Sequence, residues 1–403
     1  MEKLKLRKTA YLRGIITGVA STLVVLLLVV FTALQVGIMD VSVGKVKQTK
    51  DEIIQTSDSN GIGDEVASKL DKMQTVLQQF YFDAPSESLS KELIYKAYAL
   101  SFKDKYTTYY TAEEYEAQMT AIEGNSIGIG VQITLTDDYK LHVNSVLDNS
   151  PAKEAGLLDG DEIIMANGEK FDGLDLTAAA DKIRGPEGTS VEITVLRGSQ
   201  QLNFTVTRRK FETQVVKSQM LDGNIGYIKV TEFDEVASAQ FADQYKSLQD
   251  QGMTGLVIDL RNNPGGVLTT ATTMLDGLLP DGKIVTIESK SGNSYSISGN
   301  DPAQISVPLA VIVNGNSASA SEVFAGAVKD YGVGTIVGTQ TYGKGIVQTV
   351  VPLGDGSALK FTNAKYLTPN GVDIHEVGLT PDVVVEGDEA QLNAAIAAVK
   401  AAR

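Results

Sequence analysis

The sequence predicts an α/β core interrupted by a small β-rich domain, with a helical region and one apolar span ahead of them. Three observations predict this. After residue 210, the strand-like runs IGYIKV, GLVIDLR and PLAVIVNG alternate with helical runs such as SASEVFAGAVKDY, the pattern of an α/β sheet. Between residues 128 and 208, the short alternating segments VQITL, LHVNSVL, DEIIMANG, SVEITVL and QLNFTVT enclose a single helical run, LTAAADKIRG, as in a small β-rich domain. Residues 14–39 carry no charge, a run longer than the roughly 20 residues a helix needs to cross hydrocarbon.

The elements follow in chain order. Residues 1–13 hold Lys3, Lys5, Arg7, Lys8 and Arg13 against Glu2, so this end stays cytoplasmic and everything beyond the anchor at 14–39 lies on the extracytoplasmic side of the cell membrane. A signal peptide has a shorter apolar region and a small-residue cleavage site, and neither fits here. Residues 40–63 read as a linker ending in SDSNGIG. Residues 64–123 form a helical region with apolar Val66, Leu70, Met73, Leu77 and Phe80 at helical spacing. This region either packs a core of its own or serves as a dimerisation arm. The β-rich domain takes residues 124–208 and the α/β core 209–386. A helix, DEAQLNAAIAAVKAAR, closes the chain at 387–403. A homodimer through the N-terminal and C-terminal helices is an expectation.

Composition removes several classes of function. The formal net charge is −15, which gives no support for nucleic-acid binding. Without cysteine there are no disulfides, thiolate metal sites or cysteine nucleophile. The two histidines, His142 and His375, do not supply a histidine-rich metal site. No cofactor or metal is implied.

The chemistry sits at three motifs. PLAVIVNG runs into NSASASEVFAG, so Ser317, Ser319 and Ser321 lie where a strand turns into a helix. Ser319 reads in two ways. It is an N-cap with Glu322 completing a capping box, or a nucleophile whose following backbone N–H, on Ala320, stabilises an oxyanion. The second motif is TYGKGIVQ. Lys344 lies between two glycines in an apolar stretch, and burial there lowers a lysine's pKa until the amine can act as a base. The bland alternative is a solvated loop lysine. Gln348 suits a partner that orients the amine, but four positions along an extended strand span roughly 13 Å, so the chain must bend or the link is indirect. The third motif, DLRNNPGG, ends a strand. Gly265 and Gly266 let backbone approach a substrate closely, and one of their N–H groups would complete an oxyanion hole with Ala320.

Together VIVNGNSASASEVFAGA, VGTQTYGKGIVQ, VIDLRNNPGG and AKYLTPNGVDIHEVGLTPDVVV resemble the carboxyl-terminal processing peptidases, or tail-specific proteases. The likeness runs from about residue 64 to the end. It implies a crotonase-like α/β peptidase core and a Ser–Lys dyad, with Ser319 as nucleophile, Lys344 as base and Gln348 orienting the lysine. Ser317 and Ser321 then have structural work. Val372 and His375 depart from the family's usual arginine and glutamine, which affects one substrate-facing strand. The β-rich middle, with SPAKEAGLLDGDEI, resembles a PDZ domain. Such domains add a peptide's C-terminal strand to a sheet edge and hold its carboxylate on backbone N–H groups. The resemblance assigns that loop to Gly128, Ile129, Gly130 and Val131, with the groove formed by Ile129, Val131 and the helix at 176–183. Arg184 is either a substrate sensor near the hinge or a cap on that helix's C-terminus.

These readings converge on a membrane-anchored serine endopeptidase that takes protein or peptide substrates by their free C-termini. Two rivals stand beside it. A PDZ scaffold on a silent core conflicts with the intact Ser319, Lys344 and Gln348. A trypsin-like Ser–His–Asp protease needs a catalytic histidine and a G-x-S-G-G context that the chain lacks.

Overall fold

The computed structural model describes residues 64–82, 87–136, 140–171, 175–300 and 305–403. The expected cytoplasmic end, anchor and linker at 1–63 lie outside the described residues. Among the described residues, no helix is long and apolar enough to cross a membrane. The chain forms two compact units, one ending at Ala84 and one beginning at Pro85. In the first, helix α1 (Asp64–Phe80) carries Val66, Met73, Val76, Leu77 and Phe80 exposed, and buries no residue.

The second unit begins with α2 (Glu87–Leu100), a short strand β1 (Thr108–Tyr110) and α3 (Ala112–Ile122). Thr111 starts α3 with a capping box, its hydroxyl taking the Glu114 N–H while the Glu114 carboxylate takes the Thr111 N–H. Tyr95 of α2 meets Tyr109 of β1 with the ring centroids 5.3 Å apart and the planes tilted by 55°, and β1 pairs with a strand of the α/β half.

The β-rich domain enters and leaves through a two-stranded ribbon, β2 (Asn125–Gly128) against β9 (Arg209–Glu212). Between them run β3 (Val131–Leu135), β4 (Leu141–Val146), α4 (Pro151–Ala155), β5 (Glu162–Ala166), β6 (Glu169–Lys170), α5 (Leu176–Ile183), β7 (Ser190–Arg197) and β8 (Gln200–Thr207). The main sheet has the order β3-β4-β5-β7-β8, so β3 is an edge strand and its outer hydrogen-bonding edge is open. Leu141, Val143, Ile163, Val191, Ile193 and Val195 point inward at alternate positions and meet Ala179 and Ile183 of α5. The C-terminus of α5 is capped by buried Arg208, whose Nε donates to Ile183 O at 2.9 Å. Arg184 does not fill that role; its exposed guanidinium pairs with Asp181 at 3.1 Å.

The α/β core holds β10 (Val216–Leu221), β11 (Ile225–Val230), α6 (Ala237–Asp250), β12 (Gly255–Asp259), α7 (Leu268–Asp276), β13 (Gly282–Ser289), β14 (Ser294–Gly299), β15 (Leu309–Val313), α8 (Ala320–Tyr331), β16 (Gly334–Gly338), β17 (Ile346–Pro352), β18 (Ala358–Leu367), β19 (Val383–Val384) and α9 (Asp388–Ala401). Its central sheet runs β10-β11-β12-β15-β16-β19 and is parallel from β11 onward. Every residue of β12 and β15 is buried, as a strand covered on both faces requires. Helices α6, α7 and α8 pack on one face and α9 on the other. Because α9 spends Ala395 and Val399 on its own sheet, that face is not free to pair with a second chain.

The sequence reading missed a second sheet. β18 pairs antiparallel with β17 along one edge, and with β1 and β13 along the other.

Candidate active site

Strand β15 delivers the chain to Ser319 at the first turn of α8, a helix so thoroughly buried that nine of its residues are enclosed. Ser319 adopts φ 56° and ψ −117°, a conformation that costs a non-glycine residue roughly 1–3 kcal/mol. Its surroundings impose it. Buried Ser317 donates to Leu260 O at 2.8 Å, and buried Ser321 donates to Asn263 O at 2.9 Å. Both serines therefore tie the start of α8 to the loop after β12, the structural work expected of them.

That loop is DLRNNPGG. Gly265 (φ +103°) sits so close that a Cβ there would lie 2.7 Å from Ser319 Cβ and 2.9 Å from Ala320 N. Gly266 (φ +139°) has a similar constraint against the Phe233 backbone, where a Cβ would meet the carbonyl at 2.4 Å. The two glycines are not equivalent as donors. The Gly265 N–H is occupied by Asn263 Oδ1 at 2.9 Å, whereas among the described residues the N–H groups of Gly266 and Ala320 have no acceptor. Those two, with the positive end of α8 behind Ala320, are the groups free to receive a developing negative charge.

Lys344 stands in the loop before β17, half-buried, its ammonium 4.9 Å from the centroid of the Tyr106 ring. Burial first, and then the charge of Lys360, hold its pKa below the ordinary lysine value. Tyr106 reaches this position because β1 is sewn into the second sheet. Neighbouring Lys105 donates to the Tyr342 hydroxyl at 3.1 Å.

The side chain that joins the serine turn to the lysine loop is Glu322, fully buried. Its Oε2 accepts from the N–H of Ser319 at 2.9 Å and of Lys344 at 2.8 Å, while Oε1 accepts from Gly343 N at 2.7 Å and from Thr341 Oγ1 at 2.6 Å. Sequence reasoning saw only its capping half. The spacing that marks a capping box gives no sign of three further donors from a loop beyond the next strand.

Ser319, Ala320 and Gly266 line a cleft of roughly 320 Å³ together with Gln348, Lys360, Tyr366 and apolar Ile122, Phe233, Leu268 and Ile346. Gln348 follows a bulge at Val347/Gln348. Its amide donates weakly to Ile346 O at 3.4 Å, and among the described residues it makes no hydrogen bond to Lys344. The bend that the spacing demanded exists, but Gln348 faces the cleft. Tyr106, Lys360 and Tyr366 are the cleft and loop residues that the motifs did not flag. Among the described residues no His, Asp or Glu cluster is arranged to hold a metal. His142 lies in β4 of the β-rich domain, paired across the sheet with Thr134 and Glu162.

In the β-rich domain, Gly128 (φ +153°) and Gly130 (φ +79°) flank buried Ile129 at the entrance to β3. The carbonyls of Ile129 and Gly130 are taken by Ala152 N at 2.8 Å and Leu147 N at 2.9 Å. Arg184 sits outside this loop.

Residues 224–385 match Peptidase family S41 and residues 142–197 match the PDZ domain. A carboxy-terminal-processing protease of Bartonella bacilliformis is 36% identical over 291 residues, covering 70% of this chain and 67% of the relative. A CtpA-like serine protease of Staphylococcus aureus is 34% identical over 334 residues, covering 81% of this chain and 67% of the relative. A Bacteroides fragilis structure described as an S41 protease superposes with a TM-score of 0.56 at 17% identity, over 82% of this chain and 97% of that one. That last likeness speaks to fold alone.

Proposed function

Because the chain belongs to the carboxy-terminal-processing proteases of peptidase family S41, we propose that it cleaves its protein substrates with a Ser319–Lys344 dyad. It is a serine-type peptidase. In the proposed reaction, neutral Lys344 takes the Ser319 proton as Oγ attacks the scissile carbonyl. The oxyanion is received by the N–H groups of Ala320 and Gly266. Lys344 returns the proton to the leaving amine, and water then releases the acyl-enzyme.

The observation that carries this reading is the shared Glu322 carboxylate, which holds the backbone of Ser319 and of a half-buried, pKa-depressed Lys344 at 2.9 and 2.8 Å. The test is substitution. Ser319→Ala and Lys344→Ala should each abolish turnover in folded protein, and Lys344→Arg should be equally inactive, because a guanidinium stays protonated. Substantial activity in Lys344→Arg would remove lysine from the role of base. Loss of Gln348 should cost less than loss of either partner, since it faces the cleft.

Substrate selection is proposed to occur at the β3 edge. A peptide's last strand would add there, with its carboxylate on the backbone of residues 128–131 and its side chains against α5. The open edge and the buried Ile129 support it. Equal kcat/KM for one peptide as free acid and as C-terminal amide would exclude it. We also propose the membrane anchor at 14–39, with the peptidase extracytoplasmic. Protease added to intact cells should digest the region beyond residue 39. The homodimer is proposed through the exposed apolar faces of the N-terminal helices, and sedimentation of the full chain tests it.

A further inference from the structure

The base of the proposed dyad rests on an aromatic face. Lys344 Nζ stands 4.9 Å from the centroid of the Tyr106 ring, inside the roughly 6 Å at which a ring attracts a cation. Among the described residues this ammonium makes no hydrogen bond and no ion pair, so the ring is the partner that the geometry gives it. The ring is held in place on several sides. Asp104 Oδ1 accepts the Tyr106 N–H at 3.0 Å, and its Oδ2 accepts the Thr107 hydroxyl at 2.7 Å. That turn hands the chain to β1, where Thr108 pairs with Lys360. Lys105 closes the outer side. Its Nζ lies 4.9 Å from the same ring and 5.1 Å from the Tyr342 ring, and it donates to the Tyr342 hydroxyl at 3.1 Å. Further along the segment, Tyr110 offers its own ring to Lys360 Nζ at 5.2 Å. One short stretch of chain thus supplies ring faces to both lysines of the site.

The face of an aromatic ring is electron-rich. It attracts an ammonium, and it has no such attraction for a neutral amine, whose lone pair carries charge of the same sign. We propose that Tyr106 is a positioning residue for the base: its ring holds the Lys344 ammonium until the proton goes to water, and then releases the neutral amine to accept from Ser319. This rests on the dyad reading above. In that step Lys–NH3+ and H2O give Lys–NH2 and H3O+, and the nitrogen keeps the electron pair that later takes the serine proton. Leaving the ring is part of the cost of the step, so the ring delays activity to higher pH. Other groups face Lys344 from every element around it. Burial is the largest influence on its charge. Lys360 on β18 and Lys105 oppose that charge, while Tyr342 on its own loop and Glu322 on α8 favour it. Tyr366 on β18 donates to the Lys344 carbonyl. Replacing Tyr106 leaves all of these in place. The ring also shields the amine from water, which acts in the opposite direction, so the test must remove the electron-rich face and keep the cover.

Tyr106→Leu does this. In the pH profile of kcat/KM for one peptide substrate, which reports the free enzyme, the rise should move down by about 0.4–1.5 pH units, a cation–π contact expressed as a change in pKa. Tyr106→Phe keeps a face and should return the rise to the parental pH. A merely structural role would lower the plateau without moving the rise. An unmoved rise in folded Tyr106→Leu overturns the proposal. So does an upward move, because the ring would then act by excluding water alone. A Tyr106→Phe rise displaced as far as that of Tyr106→Leu also overturns it, since the hydroxyl and not the face would be responsible. If Tyr106→Leu does not fold, pentafluorophenylalanine at position 106 keeps the shape of a phenyl ring and reverses the charge of its face. A rise below that of Tyr106→Phe then supports the role, and an equal or higher one overturns it. Lys344→Ala, measured alongside, separates the two failures. If it still cleaves, the dyad reading falls and takes this one with it. If it is inactive while Tyr106→Leu keeps the parental profile, only the tyrosine's role falls.

Discussion

Replacing Glu322 by Gln tests whether one carboxylate assembles the site. The substitution keeps volume, so no cavity term enters. The carboxylate accepts four hydrogen bonds, two on each oxygen, and an amide has one oxygen. If the NH2 group replaces Oε2, it confronts the N–H groups of Ser319 and Lys344. If it replaces Oε1, it confronts Gly343 N–H, and Thr341 Oγ1 must find another acceptor. Either way at least one buried N–H is stranded, at about 1–3 kcal/mol, and the surviving bonds lose their charge assistance, about 1 kcal/mol each. The terms are not additive, and about 3 kcal/mol overall is expected. In a unit of this size that is a fall in Tm of about 4–5 °C. Because the tie between nucleophile and base is loosened, kcat should fall by about tenfold or more at little change in KM. Calorimetry and steady-state kinetics on the same preparation measure both. A Tm within 1 °C of the parent, well short of that fall, together with parental kcat would refute the idea that Glu322 holds the two loops.

Three further outcomes follow from the same geometry. Lys344 must be neutral to accept a proton, so activity should rise as pH climbs through its lowered pKa. Lys360→Gln removes a nearby positive charge, so that rise should move to higher pH, and an unmoved profile would remove Lys360 from the account. Burial pushes the Asp234 carboxyl up to about 6 from 3.8. A raised folded pKa means that its stabilising effect is fully present below the unfolded value and is lost as pH rises through about 6. Asp234→Asn keeps an acceptor for Ala237 N and should stabilise the protein at pH 8, by at most about 3 kcal/mol and by much less at pH 4; urea denaturation at the two pH values decides. Gly265→Ala places a Cβ against Ser319 Cβ at a φ that L-residues avoid. Fluorophosphonate labelling should be lost, and labelling at the parental rate would show that the turn has slack.

The parts of this molecule that could be read from sequence are those in which one local rule decides. The runs GLVIDLR and PLAVIVNG are apolar throughout, and only strands buried on both faces use such runs. NSASASE and NNPGG combine turn chemistry with a following helix or a close approach, so Ser319, Gly265 and Gly266 announced themselves. Lys344 stood out as a charge in apolar surroundings. What stayed hidden depends on contacts between distant segments. Tyr106 fell inside the stretch read as a helical region, and nothing local says that β1 pairs with β18. Glu322 satisfied a capping rule so completely that its other three donors left no trace. Tyr366 sits in a strand where a tyrosine is ordinary. Gln348 was assigned to the lysine by resemblance, and the bulge beside it turns the side chain toward the cleft instead. Arg208 took the helix cap for which Arg184 was the nearer candidate, because a buried residue between two strands reaches a carbonyl that the adjacent exposed residue does not.

The pairing of β1 with β18 also has a consequence for biosynthesis. Lys105 and Tyr342, which meet beside the base, are 237 positions apart. The strand that brings Lys105 and Tyr106 there has no partner until β18 has emerged, and closing so long a loop makes this contact a late event in folding. An emerging chain therefore carries its serine turn and its oxyanion loop before the lysine is covered, and the finished centre exists only once nearly the whole polypeptide has been made. A copy that stops short of β18 therefore lacks the partner strand that seats Tyr106 beside the lysine.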